Sequence, residues 1–292
     1  MPTLDLTLNP DYCQNWDLYS AVRELIQNAK DGDTLGFKME INYSENRKEP
    51  TLQIINHGTT LDRSTLLLGG TTKRDKSNQI GEWGEGYKLA FLTLLRAGLS
   101  VWVRSGFEKW VPYIGESTDF NSKLLKIEIT KSQTFENEIK IEVRGLNKTT
   151  WEAIQERFLF PPFVQLKADK DYIDAQDDKI LTLEKYRGQL FVKGIYVGNL
   201  PSKYWFGYDL FNLKLDRDRR LCDPYDLKYK IKDALNKAAA LNSISADDIY
   251  LLIQKDQFEE SRIVADSDWG NEALAAKIAN QFHKLHGDDF VP

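Results

Sequence analysis

The chain has 292 residues, of which 41% are apolar and 28% are charged, and its formal net charge is −5. These values are typical of a globular protein with one large domain or two modest ones, and they argue against a fibrous protein. The negative net charge argues against a strongly basic nucleic-acid-binding surface, although a local basic patch is compatible with it.

Neither the cysteines nor the apolar segments indicate a secreted or membrane protein. Cys13 and Cys222 fit no metal-binding spacing, and nothing in the sequence requires a disulfide between them. The N-terminal residues lack the basic region and apolar core of a signal peptide. The longest apolar stretch, 89–103, contains Arg96 and Gly98 and is too short to span a membrane. We expect a soluble, cytoplasmic protein that does not contact a membrane.

The first half of the chain is predicted to place helices against a mostly antiparallel sheet. Helices are expected at 16–31 and from Tyr87 to about Arg96, and a strand at 51–56. The polar segment 69–86 has little periodicity, and such a long loop in a compact domain is usually functional, often as a lid. Short strands with intervening turns are predicted after the second helix, at 99–105, 109–115, 123–130 and 138–145.

The second half begins with a change of pattern near residue 148. A helix is predicted within 147–158, with Thr149 or Thr150 as its N-cap, and the polar stretch 167–179 resembles a domain boundary. Beyond it, a strand pair is predicted at 188–201 and helices are predicted at 225–242, 245–254 and 271–285. Ser245 is the predicted N-cap of the second of these helices.

These elements predict an α+β protein. We expect a two-layer sandwich of helices on a mostly antiparallel, mixed sheet in residues 1–165, followed by a smaller C-terminal α/β region in residues 166–292. The second region either forms a separate domain or completes the first sheet.

The stretch RELIQNAKDGD, residues 23–33, places three polar side chains on one face of the first helix. Glu24, Asn28 and Asp31 form one stripe among apolar neighbours, because an α-helix turns by about 100° per residue. Alone, such a stripe is most often a solvated helix face. The motifs that follow it favour a functional site.

Glycine-containing motifs follow the stripe along the chain. The predicted strand ends in IINHGTTL, residues 54–61, and GEWGEGYKLA, residues 81–90, leads into the second helix with Gly81, Gly84 and Gly86. The segment GGTTKR, residues 69–74, lies between them. Glycines allow the backbone to approach a ligand closely, and the N-terminus of the helix would offer N–H groups to an anion.

In this order, the motifs resemble those of the GHKL, or Bergerat-fold, ATPase superfamily. That superfamily includes gyrase B, the ninety-kilodalton heat-shock chaperone, histidine kinases, MutL and MORC-like proteins. RELIQNAKDGD is similar to its first motif, IINHGTTL and GEWGEGYKLA to its two glycine boxes, and GGTTKR to the Ser/Thr-Lys element of its ATP lid. The resemblance covers roughly residues 15–145 and implies a histidine kinase-like ATPase domain that binds ATP and Mg²⁺.

The resemblance also implies a role for each matching residue. Glu24 would be the catalytic residue that orients or deprotonates the attacking water, and Asn28 would be the Mg²⁺ ligand. Asp31 would shape the pocket or hold a water, while Lys73 and Lys88 would approach the phosphates. The residues expected to bind the nucleotide are Asn28, Asp31, Asn56, Gly58, Thr72, Lys73, Gly81, Gly84, Glu85, Gly86, Tyr87 and Lys88.

The chain departs from the family pattern in the first glycine box. The family usually has an aspartate that accepts a hydrogen bond from the adenine amino group, and this chain has Asn56 there; Thr60 replaces the second glycine. An amide oxygen can accept from the same amino group, and the amide NH₂ can donate to the neighbouring ring nitrogen. Adenine is therefore compatible with Asn56.

Three functions remain open from the sequence. The first is an ATP-driven conformational switch or clamp, in which ATP closes a lid and drives homodimerisation while the second half contacts an unknown protein or nucleic-acid partner. The second is a protein kinase of the same fold, and the third is a non-catalytic nucleotide-binding module. Arg217, Arg219 and Arg220 could reach a γ-phosphate, bind a polyanion or pair with the neighbouring acids.

Overall fold

The computed structural model of the chain describes residues 3–46, 48–66, 85–216, 221, 223–254, 257–265 and 272–287. The chain forms two compact units, Met1–Glu156 and Arg157–Pro292, which we call unit 1 and unit 2. Among the helices described, none is long and apolar enough to cross a membrane.

The described residues of unit 1 form a five-stranded antiparallel sheet. In chain order, the strands are β1 Thr3–Asp5, β2 Met39–Ser44, β3 Thr51–His57, β4 Ser100–Ser117 and β5 Ser122–Arg144. The long strand β5 pairs with β4 on one side, and on its other side it pairs first with β1 and then with β3. Strand β2 pairs with the far side of β3.

Helices cover this sheet and form the second layer of unit 1. They are α1 Leu18–Thr34, α2 Gly86–Arg96 and α3 Lys148–Gln155, with a 3₁₀ turn at Arg63–Leu66. Helices α1 and α2 pack against each other and against the sheet. The core between the layers contains the buried side chains of Leu25, Ile26, Ile54, Phe91 and Val143. Each such side chain contributes about 1.5–3 kcal/mol when buried, so the apolar faces hold the layers together. The predicted α+β class, with helices layered on a mostly antiparallel sheet, is confirmed.

The predicted strands of unit 1 need correction. The four short strands expected between residues 99 and 145 are the two long strands β4 and β5, whose pairing is irregular between Ser105 and Glu108. Pro112 is tolerated because β4 lies at the edge of the sheet, where a missing N–H is least costly. Strands β1 and β2 have no counterpart in the sequence prediction. The N-cap of α3 is Asn147, which accepts from the N–H of Thr150 at 2.9 Å, and not Thr149 or Thr150.

Unit 2, within its described residues, contains a second five-stranded sheet and four helices. The strands are β6 Tyr172–Ala175, β7 Asp178–Leu181, β8 Gln189–Val192, β9 Ile195–Asn199 and β10 Gly207–Leu210, in the spatial order β6-β7-β10-β8-β9. Strands β8 and β10 pair in parallel and the other neighbours pair antiparallel, so this sheet is mixed. The helices are α4 Pro224–Ala240, α5 Ala246–Gln254, α6 Glu259–Ala265 and α7 Glu272–His286.

Local signals predicted several of these elements. The strand pair expected at 188–201 is the hairpin β8–β9, whose two-residue turn consists of Lys193 and Gly194 with φ angles of 52° and 77°. A turn with two residues in the left-handed backbone conformation matches the right-handed twist of the strands it joins. Ser245 caps α5 by accepting from the N–H of Asp248 at 3.0 Å, as predicted. The polar stretch 167–179 contains β6 and the start of β7.

A buried carboxylate joins α6 to the segment that leads into β10. Glu260 is fully buried and accepts hydrogen bonds from the N–H groups of Trp205 and Phe206, at 2.9 and 3.0 Å, and from the hydroxyl of Tyr208 at 3.1 Å. Burial raises the pKa of Glu260, and these donors offset part of that rise. The folded protein therefore holds this proton more tightly than the unfolded chain does.

We expect Glu260→Ala to lower the free energy of unfolding by about 3 kcal/mol, because it leaves several buried donors without an acceptor, each at about 1–3 kcal/mol. Since the pKa of Glu260 is raised in the folded state, its contribution to stability falls as the pH rises above 4.5. Glu260→Gln cannot ionise and should lose that part of the pH dependence.

Urea denaturation followed by tryptophan fluorescence at acidic and neutral pH measures both effects. Glu184→Ala, at an exposed position of the same unit, is the matched control. An unchanged denaturation midpoint for Glu260→Ala would contradict the proposed role of this carboxylate.

Candidate functional site

Helix α1 carries the polar stripe predicted from the sequence and presents its members at different depths. Asp31 is buried, with 1% of its surface exposed, whereas Glu24 and Asn28 are half-buried. Their neighbours Leu25 and Ile26 are fully buried in the core. The stripe is therefore carried by a packed helix, so its position is set by the fold of unit 1.

The first residue of α2 lies directly against Glu24. A Cβ atom added to Gly86 would lie 2.5 Å from both Cγ and Cδ of Glu24, and closer still to its Oε1. Real Cβ atoms essentially never show such distances, so glycine is the residue that fits this position without a shift. The fold thus brings the predicted catalytic carboxylate and the second glycine motif into contact.

The N-terminus of α2 offers backbone donors beside this carboxylate. The residue that precedes the helix, Glu85, makes no side-chain hydrogen bond that caps it. The first N–H groups of a helix have no intrahelical partner and carry the positive end of the helix dipole, so they attract anions. The start of α2 is therefore suited to a phosphate group next to Glu24.

The next two residues of α2, Tyr87 and Lys88, have pKa values that the fold shifts. Burial raises the pKa of Tyr87, and the nearby carboxylates of Glu24 and Asp31 raise it further. The phenol therefore stays protonated at neutral pH and lies close enough to both acids to be influenced by their charge. Lys88 is fully buried, and burial lowers its pKa. Its predicted contact with phosphates stays a prediction, because a buried ammonium is not a freely moving surface charge.

Asn56, near the end of β3, is bonded to the helical layer. Its Nδ2 donates to the carbonyl of Ala29 in α1 at 2.9 Å and to the carbonyl of Phe37 at 3.0 Å. These bonds use both hydrogens of the amide, and they identify this atom as nitrogen because an oxygen would face two carbonyl oxygens. The predicted donation from Asn56 to a ring nitrogen is therefore wrong for this arrangement. Its Oδ1 is the atom that can accept from an amino group.

Gly32 of α1 packs against this amide, and the sequence analysis missed it. A Cβ at Gly32 would lie 2.9 Å from Nδ2 and 3.2 Å from Cγ of Asn56. A larger residue would push Asn56 away from its carbonyl partners. The available signal was the glycine itself, because glycine inside a helix costs about 1 kcal/mol relative to alanine and so needs a reason.

Gln27 also lies beside the stripe and was missed. It is fully buried, and neither its Oε1 nor its Nε2 has a hydrogen-bond partner within the described part of the chain. It is three residues from Glu24 and four from Asp31, so these side chains are neighbours on the surface of α1. An unpaired buried amide costs about 1–3 kcal/mol, and such groups often mark a bound water or ligand.

The loop after β3 is attached to the long strands of the sheet. Gly58 has a φ angle of 80°, which favours glycine, and its N–H donates to the carbonyl of Asn137 at 2.8 Å. The N–H of Leu61 donates to Oγ of Ser105 at 2.7 Å. The first glycine motif therefore has a defined backbone conformation next to Asn56.

Several predicted site residues lie outside the described residues. These are Thr72, Lys73, Gly81 and Gly84, together with Arg217, Arg219 and Arg220 of unit 2. The predicted residues that the structure describes lie on α1, at the end of β3 with its following loop, and at the start of α2. They are Glu24, Asn28, Asp31, Asn56, Gly58, Glu85, Gly86, Tyr87 and Lys88.

Within the described residues, Asn28 is the ligand predicted for a magnesium ion. Among the described residues, no group of three or more histidine, cysteine, aspartate or glutamate side chains is placed to hold a metal ion. Mg²⁺ commonly keeps several waters and takes other ligands from substrate phosphates, so a single amide oxygen from Asn28 fits its chemistry. Asn28 is half-buried and one helical turn from Glu24.

Comparison with known proteins adds a remote structural likeness. No family model and no curated protein matches the chain. Among solved structures, the ATPase region of Saccharomyces cerevisiae topoisomerase II bound to ICRF-187 (dexrazoxane) is similar, with a TM-score of 0.38 and 13% sequence identity. The alignment covers 62% of this chain and 63% of that one, so the chain spans less than two thirds of that structure. At this level of similarity, function has to be argued from the residues themselves.

Replacement of Asn56 by aspartate, the residue usual in the resembling superfamily, is expected to destabilise this chain. A carboxylate would face the carbonyl groups of Ala29 and Phe37 without a hydrogen to donate, which should cost about 1–3 kcal/mol. Urea denaturation of Asn56→Asp measures this cost, with Asn137→Asp at an exposed position of β5 as the matched control. Equal stability of Asn56→Asp and the wild type would show that these two bonds do not hold the site.

Proposed function

We propose that the chain is a GHKL-type protein that binds Mg²⁺–ATP, hydrolyses it and uses the bound nucleotide as a conformational switch. The observation that carries this proposal is the contact of Gly86 with Glu24, which sets the start of α2 beside a carboxylate. An anion site in contact with a candidate general base suits the hydrolysis of a phosphoanhydride.

Such hydrolysis needs a positioned water and charge neutralisation more than covalent chemistry. In our proposal, the N–H groups at the start of α2 hold the terminal phosphates, and Glu24 orients the attacking water or accepts its proton. Gln27 would hold that water through its buried, unsatisfied amide. The protonated phenol of Tyr87 would donate a hydrogen bond to a nearby carboxylate or to a phosphate oxygen.

Bound Mg²⁺ would neutralise part of the phosphate charge, and Asn28 would be its ligand from this chain. Asp31, buried on the same face of α1, would shape the pocket or hold a further water. We propose Lys88, Gly58 and Glu85 as further contacts of the nucleotide site, together with residues outside the described part of the chain, namely Thr72, Lys73, Gly81 and Gly84.

Asn56 would select the base. Its Oδ1 can accept a hydrogen bond from the amino group of adenine, whereas guanine has a carbonyl oxygen at the corresponding ring position. The amide cannot turn its NH₂ toward that oxygen without breaking its bonds to Ala29 and Phe37. This arrangement supports a preference for adenine.

The remaining parts of the proposal follow from the resemblance. Residues 1–165 would form the ATP-binding region, and residues 166–292 would relay the nucleotide state or bind a protein or nucleic-acid partner. Closure of the lid motif over ATP and ATP-dependent homodimerisation are proposed on the same basis.

Glu24→Gln is expected to retain ATP binding and to lower the rate of hydrolysis by about 10²–10⁴-fold, because an amide cannot accept the proton of the attacking water. Calorimetry with ATP and Mg²⁺ measures binding, and release of phosphate from γ-labelled ATP measures turnover. Glu152→Gln, at an exposed position of α3, is the matched control. Undiminished hydrolysis by Glu24→Gln would exclude Glu24 as the base, and label transferred to protein would favour a kinase instead.

Gly86→Ala should displace the Glu24 side chain, because the added methyl group would occupy the space of its Cγ and Cδ atoms. Misplacement of a catalytic group by about 1 Å can reduce the rate by about 10²-fold, so we expect a loss of this order in phosphate release. Gly198→Ala is the control, since a Cβ at Gly198 meets nothing within 4 Å. Equal turnover of Gly86→Ala and Gly198→Ala would contradict the contact that carries the proposal.

A further inference from the structure

Helix α1 carries two buried polar side chains with atoms that lack hydrogen-bond partners. Arg23 has 5% of its surface exposed, and Gln27 is fully buried. The Nε of Arg23 and both the Oε1 and the Nε2 of Gln27 have no partner within the described part of the chain. Buried polar atoms are nearly always paired, so two such side chains together point to a bound ion, water or ligand.

The two side chains are neighbours beside the polar stripe of α1. Residues four apart on a helix have Cβ atoms about 5–6 Å from each other, so Gln27 lies next to Arg23. Glu24 follows Arg23 in the chain and lies about 60° from Gln27 around the helix axis. A ligand held by both Arg23 and Gln27 would therefore border the proposed general base.

The positive charge of Arg23 has no counter-charge among the described residues. Arg23 takes part in none of the ion pairs that these residues form. Its guanidinium carbon is 6.0 Å from the ring centroid of Trp16 and 5.7 Å from that of Tyr19. Such distances are near the limit of about 6 Å at which an aromatic face attracts a cation. Since a buried charge without a partner is costly, this place favours an anion.

The hydrogen-bonding groups of the pair fit inorganic phosphate better than a carboxylate. A guanidinium presents its N–H groups in a planar fork that matches phosphate oxygens, and the Nε2 of Gln27 adds a further donor. The Oε1 of Gln27 needs a hydrogen to accept, and an ionised carboxylate has none. Inorganic phosphate keeps at least one P–O–H group at neutral pH and can donate it.

We propose that Arg23 and Gln27 form the site that holds the inorganic phosphate produced by hydrolysis. In that step, the oxygen of the attacking water bonds to the terminal phosphorus, and one of its protons passes to Glu24. The bond from this phosphorus to the bridging oxygen breaks, and ADP leaves with the electron pair. The hydrogen left on the former water becomes the P–O–H of phosphate, so the Oε1 of Gln27 accepts the same hydrogen before and after cleavage. This inference rests on the proposed function, because it concerns the product of that reaction.

The first measurement is a calorimetric titration of the full chain, saturated with ADP and Mg²⁺, by inorganic phosphate. Arg23→Met should weaken phosphate binding by about tenfold or more, and Gln27→Leu by about fivefold, because hydrogen bonds to a charged group are worth more than neutral ones. The matched controls are Arg262→Met, at a side chain that is 74% exposed, and Gln133→Leu, at an exposed position of β5. Both controls should bind phosphate as the wild type does.

The second measurement is urea denaturation in phosphate and in chloride at equal ionic strength. In chloride, Arg23→Met should be at least as stable as the wild type, because it removes a buried charge without a counter-charge. Phosphate should raise the midpoint of the wild type and of Arg262→Met more than that of Arg23→Met, since a ligand of the folded state stabilises it. Comparison between the proteins removes the general effect of the salt. In sulfate, which carries no hydrogen at neutral pH, the difference should be smaller.

A third measurement distinguishes free phosphate from the terminal phosphate of the nucleotide. Calorimetry with a non-hydrolysable ATP analogue and Mg²⁺ should give Arg23→Met nearly the affinity of the wild type. A loss of analogue affinity as large as the loss of phosphate affinity would assign Arg23 to the bound nucleotide and overturn its assignment to the product.

The outcomes separate this inference from the proposed function. Equal phosphate affinities of the wild type and Arg23→Met, with the ATP analogue bound by both, overturn the inference and leave the proposed function standing. Absence of analogue binding by the wild type overturns the proposed function, and with it the assignment of phosphate as a reaction product.

Discussion

The packing of α1 against both α2 and the sheet is the constraint on which the candidate site depends. Ala21, Val22, Leu25 and Ile26 are fully buried, and their helical spacing leaves one strip of α1 for polar side chains. The helix cannot rotate without exposing these residues, so core packing sets the depth of each polar group. The same packing encloses Gln27, whose amide has no hydrogen-bond partner among the residues described, a cost that the apolar core of unit 1 has to offset.

The helices and the location of the site could be predicted because they follow from local patterns. Apolar periodicity marked α1, and the glycines before the second helix marked the start of α2. Strand β2, with the sequence MEINYS, alternates apolar and polar residues as a half-buried strand does, so this signal was present in the sequence and was missed. Four strands were predicted in place of two because Gly106 and the polar run 131–137 resemble turns, although the pairing resumes beyond them.

The contacts within the site could not be predicted, because they join residues that are distant in the sequence. Asn56 and Ala29 are 27 residues apart in the sequence, and only the fold brings the side-chain amide of Asn56 to the carbonyl of Ala29. Whether a side-chain amide donates or accepts depends on such partners. From the sequence, Asn56 could contact both the amino group and the ring nitrogen of adenine, but in the structure only its Oδ1 is left for the base. Gln27 looked like an ordinary helix residue for the same reason, and Gly32 lay just beyond the predicted end of the helix at residue 31.

The outer edge of β4, which pairs with no other strand in the described sheet, limits how copies of this chain can associate. An edge strand of 18 residues offers backbone groups that would favour strand addition from another molecule. Pro112 removes one donor, the irregularity between Ser105 and Glu108 bends the ladder, and the charge of Glu116 opposes close approach. Addition of a further strand at this edge of β4 is therefore disfavoured, so the sheet does not readily extend into a continuous ladder.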